Sequence, residues 1–270
     1  MKKCCLLIFI LFSSYTYCQE GYSFESKIHP EKEYTLQMNI SSITETTIDK
    51  KVTKSESKTS VTRTTTTEKL NKEGVMPASM QIGNLSVSGE GKESLNPISN
   101  SVLVGQLSVD NKFKIDTIYN NEINQKTRTA LKYAFNDLKP EIDFPKKLLK
   151  IGESFENKAP LTVPFNNDQI KTLITKKITL NSVKNNIALF TITEKIVLNN
   201  ENLLISASGE GSGIIKFNIA ENQIISDTSH HSINIKVRNG DTIINGLVKL
   251  DAEKTTTINN IIIEEPPKTR

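Results

Sequence analysis

The stretch ISASGEGSG (205–213) carries glycine spacing of the kind that cradles a phosphate through backbone amides. That chemistry needs the glycines at a strand-to-helix junction, where a helix N-terminus faces the anion. Here Ile214-Ile215-Lys216-Phe217 follows with a strand pattern, no Gly-Lys-Ser/Thr ending is present, and Glu210 repels phosphate. The glycines are instead expected to permit a bulge or a sharp bend in a curved sheet.

Histidine chemistry is the next candidate. His230 and His231 are adjacent, and neighbours on a strand point to opposite faces, so the pair does not chelate one ion. His29 is the remaining histidine, and no third ligand stands at metal-type spacing, so exposed or edge positions are expected for all three. There is no Gly-x-Ser-x-Gly elbow. Glu141 and Asp143 form a carboxylate pair in what reads as a solvated linker. Tryptophan is absent and aromatics make up 6% of the chain, which disfavours carbohydrate platforms and base stacking. No catalytic, cofactor-binding or metal-ligating residue is assigned, no cofactor is expected, and the chain reads as non-catalytic.

The elements around these residues begin with a leader. MKKCCLLIFILFSSYTYCQE opens with Lys2 and Lys3, runs apolar from Cys4 to Phe12, then turns small and polar, the order of a secretory signal peptide over 1–18. The apolar run is far short of the roughly 20 residues that span a bilayer. Cleavage after Cys18 leaves Gln19 first; the competing scheme makes Cys18 an acylated lipoprotein residue, against which Tyr15-Thr16-Tyr17 is bulky. Cys4, Cys5 and Cys18 all lie in this segment, so the mature chain has no cysteine, no disulfide and no thiol nucleophile. It is expected in the periplasm or secreted. Of 34 basic side chains two lie in the leader, against 30 acidic, so bulk charge gives no reason to invoke nucleic acid.

The body reads as β-structure. Tyr34, Leu36, Met38 and Ile40 alternate with polar residues. Hairpins are expected over 101–118 around Asp110-Asn111-Lys112, over 177–198 around Lys184-Asn185-Asn186, over 213–228 near Ala220-Glu221-Asn222, and over 233–250 at Asn239-Gly240. In the second arm of 177–198, Phe190, Ile192, Ile196 and Leu198 share a face that Glu194 interrupts. KTSVTRTTTTEKL (58–70) reads as a solvated strand.

One helix is expected over about 125–139, with Leu131, Ala134, Phe135 and Leu138 in one stripe, Asn124 as cap and Pro140 as stop. A linker runs through Pro145. The chain thus reads as a single mainly-β (α+β) domain over 19–265, with strand-rich halves of about 30–120 and 146–260 joined by 121–145, and a tail at 266–270. SVSGEG (86–91) and SASGEG (206–211) form a faint internal echo of these halves.

The segments EYTLQMNI, FPKKLLKIGESFENKAPLTVPF (144–165), ITLNSVKNNIALFTI and SGEGSGIIKFNIAENQIISDT resemble, in that order, a family of exported proteins of Gram-negative bacteria known by a domain-of-unknown-function label. The likeness runs from about Tyr34 to about Thr228 and implies no catalytic residues. In general look it is similar to the curved antiparallel sheets of periplasmic lipoprotein carriers. That implies a large curved sheet or half-barrel with the helix as its one candidate lid.

Two readings stay open. One is a binding protein for a lipid or other apolar ligand inside the curved sheet, in a cavity closed by Leu131 and Phe135. The other is a structural or protein-interaction module of the envelope without a cavity, in contact through strand edges or the Thr-rich strand.

Overall fold

The computed structural model describes residues 21–89, 92–108, 112–136, 142–165, 168–199, 205–240 and 242–261. The expected leader, the turn residues Asp110 and Asn111, the helix end at 137–139, Glu141 and the tail lie outside the described residues.

Alternation of β-branched and polar residues makes strands of nearly everything else. They are β1 (Lys32–Ile48), β2 (Lys51–Thr67), β3 (Val75–Gly89), β4 (Lys92–Leu95), β5 (Val102–Ser108), β6 (Phe113–Tyr119), β7 (Ser154–Phe165), β8 (Asp168–Lys184), β9 (Ile187–Asn199), β10 (Ile205–Asn218), β11 (Gln223–Asn239) and β12 (Thr242–Asn260). The helix among the described residues is α1 (Gln125–Asn136).

All strands belong to one curved antiparallel sheet, ordered β6-β5-β3-β2-β1-β12-β11-β10-β9-β8-β7, with β4 paired to β3 off that path. The mainly-β expectation is therefore met. The first meander runs outward from the middle of the sheet, and the second runs from the far edge back to the middle. They join where β1 pairs β12 along its whole length, from Lys32↔Asn260 to Ile48↔Ile244. The segment between β6 and β7 carries the chain from one outer edge to the other.

Turn chemistry sets the registers. Asn185 and Asn186 hold φ of 51° and 61° between β8 and β9, Asn222 holds 50° before β11, and Gly240 holds 59° before β12, each where the sequence placed a turn. Asp49 and Lys50, at 47° and 68°, form a left-handed two-residue turn between β1 and β2 without glycine.

One face of the sheet, here the inner face, carries the core, in two clusters. The first gathers Met76, Ala78, Met80 and Ile82 of β3 with Leu103, Leu107, Phe113, Ile115 and Ile118. Leu131 of α1 is buried in it and Phe135 packs against it. Two carbonyls of the edge strand β6 and the one just past its end receive cations from α1: Arg128 donates to Ile118 and Asn120, and Lys132 Nζ donates to Asp116 O at 2.6 Å. The helix therefore seals an edge whose carbonyls have no partner strand, and its apolar stripe completes the first cluster.

The second cluster comprises Ile178, Leu180, Ala188, Phe190, Ile192, Ile215 and Phe217. It is covered by two segments that the sequence left as plain connections. Phe24 stacks edge-on against Phe190 and Phe217, with ring centroids 5.0 and 5.6 Å apart. Phe144 meets Phe217 at 5.2 Å. Tyr22 and Leu149 exchange backbone hydrogen bonds of 2.8 and 2.9 Å. The helix is thus not the only lid. Within the expected linker Asp143 is exposed but Ile142 is buried, and Leu149 just beyond it is buried too.

The N-terminus of α1 follows its sequence signal. Asn124 Oδ1 accepts from Thr127 N at 2.9 Å and from Thr127 Oγ1 at 3.1 Å. Asn124→Ala removes that cap, and thermal unfolding is expected to show a loss of about 1 kcal/mol.

Candidate functional site

Strand pairing places side chains in rows across the inner face. One row runs Asn157, Lys176, Glu194, Gly211, His231, Leu250 across β7 to β12. Glycine at its centre leaves space into which the His231 imidazole falls: a Cβ on Gly211 would stand 2.6 Å from His231 Cδ2. With the gap filled by the ring, His231 Nε2 reaches Glu194 Oε2 at 2.8 Å across an intervening strand. A carboxylate only accepts, so Nε2 carries the proton. From the other side Lys176 Nζ approaches Glu194 Oε1 at 3.1 Å.

This cluster is sunk in the sheet. The Glu194 side chain is 4% exposed, His231 16% and Lys176 21%. Burial, the largest single influence on the Glu194 carboxyl, pushes it up. The His231 hydrogen bond and the charge and hydrogen bond of Lys176 together outweigh burial and hold it below the ordinary carboxylate range. The donors are spent on their own carboxylate, an arrangement that ties β8, β9 and β11 to one another.

Two more charged positions lie on the inner face. Lys254 Nζ stands 3.9 Å from Asp227 Oδ2. Arg63 of β2 lies between Leu36 and Ile82 in its row, half-buried, and its Nε is sealed from solvent with no hydrogen-bond partner among the described residues. Burial, with no opposing carboxylate, pulls its guanidinium down.

The outer face is different in kind. His230 points there and pairs with Asp251 Oδ1 at 2.6 Å, with both side chains well exposed. Three adjoining shallow depressions of about 580, 640 and 620 Å³ cross the sheet, with small side chains such as Thr193, Ser208, Ser212, Ser232, Ser41 and Ser60 among their lining.

The two histidines thus divide between faces as strand geometry requires. The expectation of exposed or edge positions is met by His230 and corrected for His231, which is drawn inward because Glu194 needs a donor. His29 is half-buried, its Nε2 3.1 Å from Glu221 O. The glycine stretch lies inside β10, with Gly209, Gly211 and Gly213 all on the inner face, and it makes no phosphate cradle. Sequence reading did not assemble the Lys176–Glu194–His231 cluster. Its signal was Glu194 itself, an acid interrupting an apolar face.

Among the described residues no group of three or more His, Cys, Asp or Glu side chains is placed to hold a metal, and no helix is long and apolar enough to cross a membrane. No family model and no curated protein matches the chain. Among solved structures, one that describes lipid–protein interactions in lipovitellin is similar at 11% identity and a TM-score of 0.42. The match covers 88% of this chain but 26% of that one, so the chain spans about a quarter of the lipovitellin chain it matches.

Proposed function

We propose that the protein is a non-catalytic exported protein of the cell envelope, of the family its motifs resemble, and that it takes an acyl chain or similar apolar ligand on the inner face of the sheet. One observation carries this reading. Along β11 and β12 the inner positions Ile233, Ile235, Val237, Ile244, Val248 and Leu250 are apolar and half-buried. The outer positions Asn234, Lys236, Asn245, Lys249 and Asp251 are polar and exposed, although Ile243 and Leu247 place two apolar side chains on that face as well. Val237 packs with Ile205 and Ala207 in a third apolar group, separate from both clusters that hold the fold together. An apolar strip of this kind, half-buried but distinct from the core, is a surface on which a hydrocarbon chain gains burial.

The test is mass spectrometry of organic extracts from the protein purified from its native envelope. A stoichiometric lipid is expected with the wild type and with Asn234→Glu, and its loss is expected with Ile233→Glu, the two variants being matched by thermal unfolding. An intact mass on the same sample distinguishes a chain beginning at Gln19 from one acylated at Cys18.

A second reading is favoured by a different observation. Leu131 and Phe135 complete a packed cluster beneath α1 and do not roof a cavity there. The three depressions described above open on the polar outer face. An extract free of lipid favours an interaction module that meets an envelope protein through that face or through β2.

A further inference from the structure

The inner face holds charge at a few places, and in all but one the charge is answered within the fold. Away from the β1–β2 tip, the charged groups at inner positions whose side chains are described are Lys32, which Glu221 answers at 3.2 Å, and Lys176, Glu194, Asp227, His231, Lys254 and Arg63. Glu194 answers Lys176 and His231, and Asp227 stands opposite Lys254. Among the described residues no carboxylate is paired with Arg63, and its buried Nε has no hydrogen-bond partner.

That asymmetry is costly as it stands. A guanidinium does not discard its proton under physiological conditions, so it cannot escape burial by becoming neutral. A buried cation is ordinarily paired. The Arg63 stem lies between Val61 and Thr65 along β2, and between Leu36 and Ile82 across the sheet. Thr65 and Ile82 are buried, while Val61 and Leu36 are half-buried. None of these neighbours supplies a counter-charge. Beside Arg63 the inner positions of β1 continue as Leu36, Met38 and Ile40, all half-buried, toward Ala252 and Leu250 of β12. An unanswered cation therefore stands at the head of an apolar row that leads toward the strip described above.

We propose that Arg63 is the head-group anchor of the inner face: its guanidinium fork receives the carboxylate of a long-chain fatty acid whose hydrocarbon tail lies along Leu36, Met38 and Ile40. This rests on the reading of the inner face as an apolar-ligand surface and adds the sign and chemistry of the ligand's head. A two-oxygen anion matches the planar fork in geometry, and its single negative charge matches the single uncompensated positive one. The tail gains apolar burial next to the same residues, so neither a free anion nor a neutral hydrocarbon uses both halves of the site.

Calorimetric titration of the delipidated mature chain with oleate, oleyl alcohol and acetate tests this, using the wild type, Arg63→Met and Arg63→Lys. Methionine keeps an unbranched stem without the charge, and replacing a half-buried, unpaired charge by an apolar group is expected to leave the unfolding temperature unchanged or raised. Oleate is expected to bind the wild type about tenfold or more tighter than oleyl alcohol, the scale of one charge-assisted hydrogen bond. In Arg63→Met the preference disappears while oleyl alcohol still binds. Arg63→Lys, which keeps charge but not the fork, falls between.

Equal oleate affinity in the wild type and Arg63→Met overturns the anchor and leaves the apolar-ligand reading standing. Acetate binding as tightly as oleate overturns the anchor as well, because the site would then be one for small anions. If the wild type binds neither oleate nor oleyl alcohol, the anchor and the reading beneath it fall together. Should Arg63→Met fail to fold, the wild-type preference for oleate over oleyl alcohol and its reduction in Arg63→Lys decide the matter.

Discussion

Glu194→Ala is expected to lower unfolding stability by about 3 kcal/mol at neutral pH, because it strips the counter-charge from Lys176 and the acceptor from His231 inside the sheet. Removing one member of a buried charge cluster costs more than the cluster itself is worth, since the remaining charge stays desolvated. Chemical denaturation of the single variant measures the loss. Glu194→Leu combined with Lys176→Met removes both charges and is expected to recover most of it; a double variant as unstable as the single one would show that the penalty lies in packing and not in charge.

The pH dependence has a defined sign. The Glu194 carboxyl is held below its ordinary value of 4.5 in the folded chain. Its contribution is therefore fully present above that value and is lost as pH falls through the lower folded one. The stability gap between wild type and Glu194→Ala should be widest at neutral pH and close on acidification below about pH 4.5. A gap that stays constant down to pH 3 would remove Glu194 as its source.

The second large effect is expected at Gly213. A Cβ there would stand 2.4 Å from the backbone oxygen of Thr228 on β11, and backbone cannot yield as a side-chain tip can. Gly213→Ala must push β10 away from β11 in the middle of the sheet, at a cost of about 3 kcal/mol. Gly89, a strand glycine on β3, offers a control. Its added Cβ would meet the Glu56 oxygen at 3.4 Å, an ordinary contact, so Gly89→Ala should move the melting temperature little. Equal losses at both positions would show that the glycines matter for backbone freedom and not for close approach.

Those two sites also mark what the sequence disclosed and what it withheld. The hairpins were legible because their turns announce themselves: Asn-Gly at 239–240 and Asn-Asn at 185–186 sit between alternating apolar runs. The β1–β2 turn was not, since Asp49-Lys50 adopts the same left-handed geometry without the usual residues. The strand from Val75 to Gly89 was masked by Pro77 and Gly83, although Met76, Ala78, Met80 and Ile82 alternate into the first cluster. The helix and its Asn124 cap were plain from spacing. Its docking was not, because amphipathic periodicity says which face is apolar and not which edge of which strand it meets.

The candidate site failed to appear for a related reason. Lys176, Glu194 and His231 occupy three strands, and only the register of β8 through β11 places them in one row. Glu194 by itself announced that something must answer it. The identity of the answering groups is a property of pairing, which local sequence does not contain. Arg63 was likewise lost in a threonine-rich strand read as solvated, where Thr65 and Thr67 are in fact buried.

The seam between β1 and β12 has a consequence for how such a chain comes into being. Its first meander can pair as soon as its strands exist, since each lies next to a close neighbour in sequence. β1, however, keeps one full row of amides and carbonyls without partners until the last strand arrives. Throughout synthesis the nascent protein therefore presents a long, uncapped strand edge, the kind of template that recruits other chains. The pairing that ends this exposure joins residues far apart in sequence, from Lys32↔Asn260 to Ile48↔Ile244, and contacts of that span form slowly. Closure of the sheet is thus a race between the final strand and any foreign strand that reaches β1 first, and survival of the newborn molecule depends on keeping it isolated until the race is won.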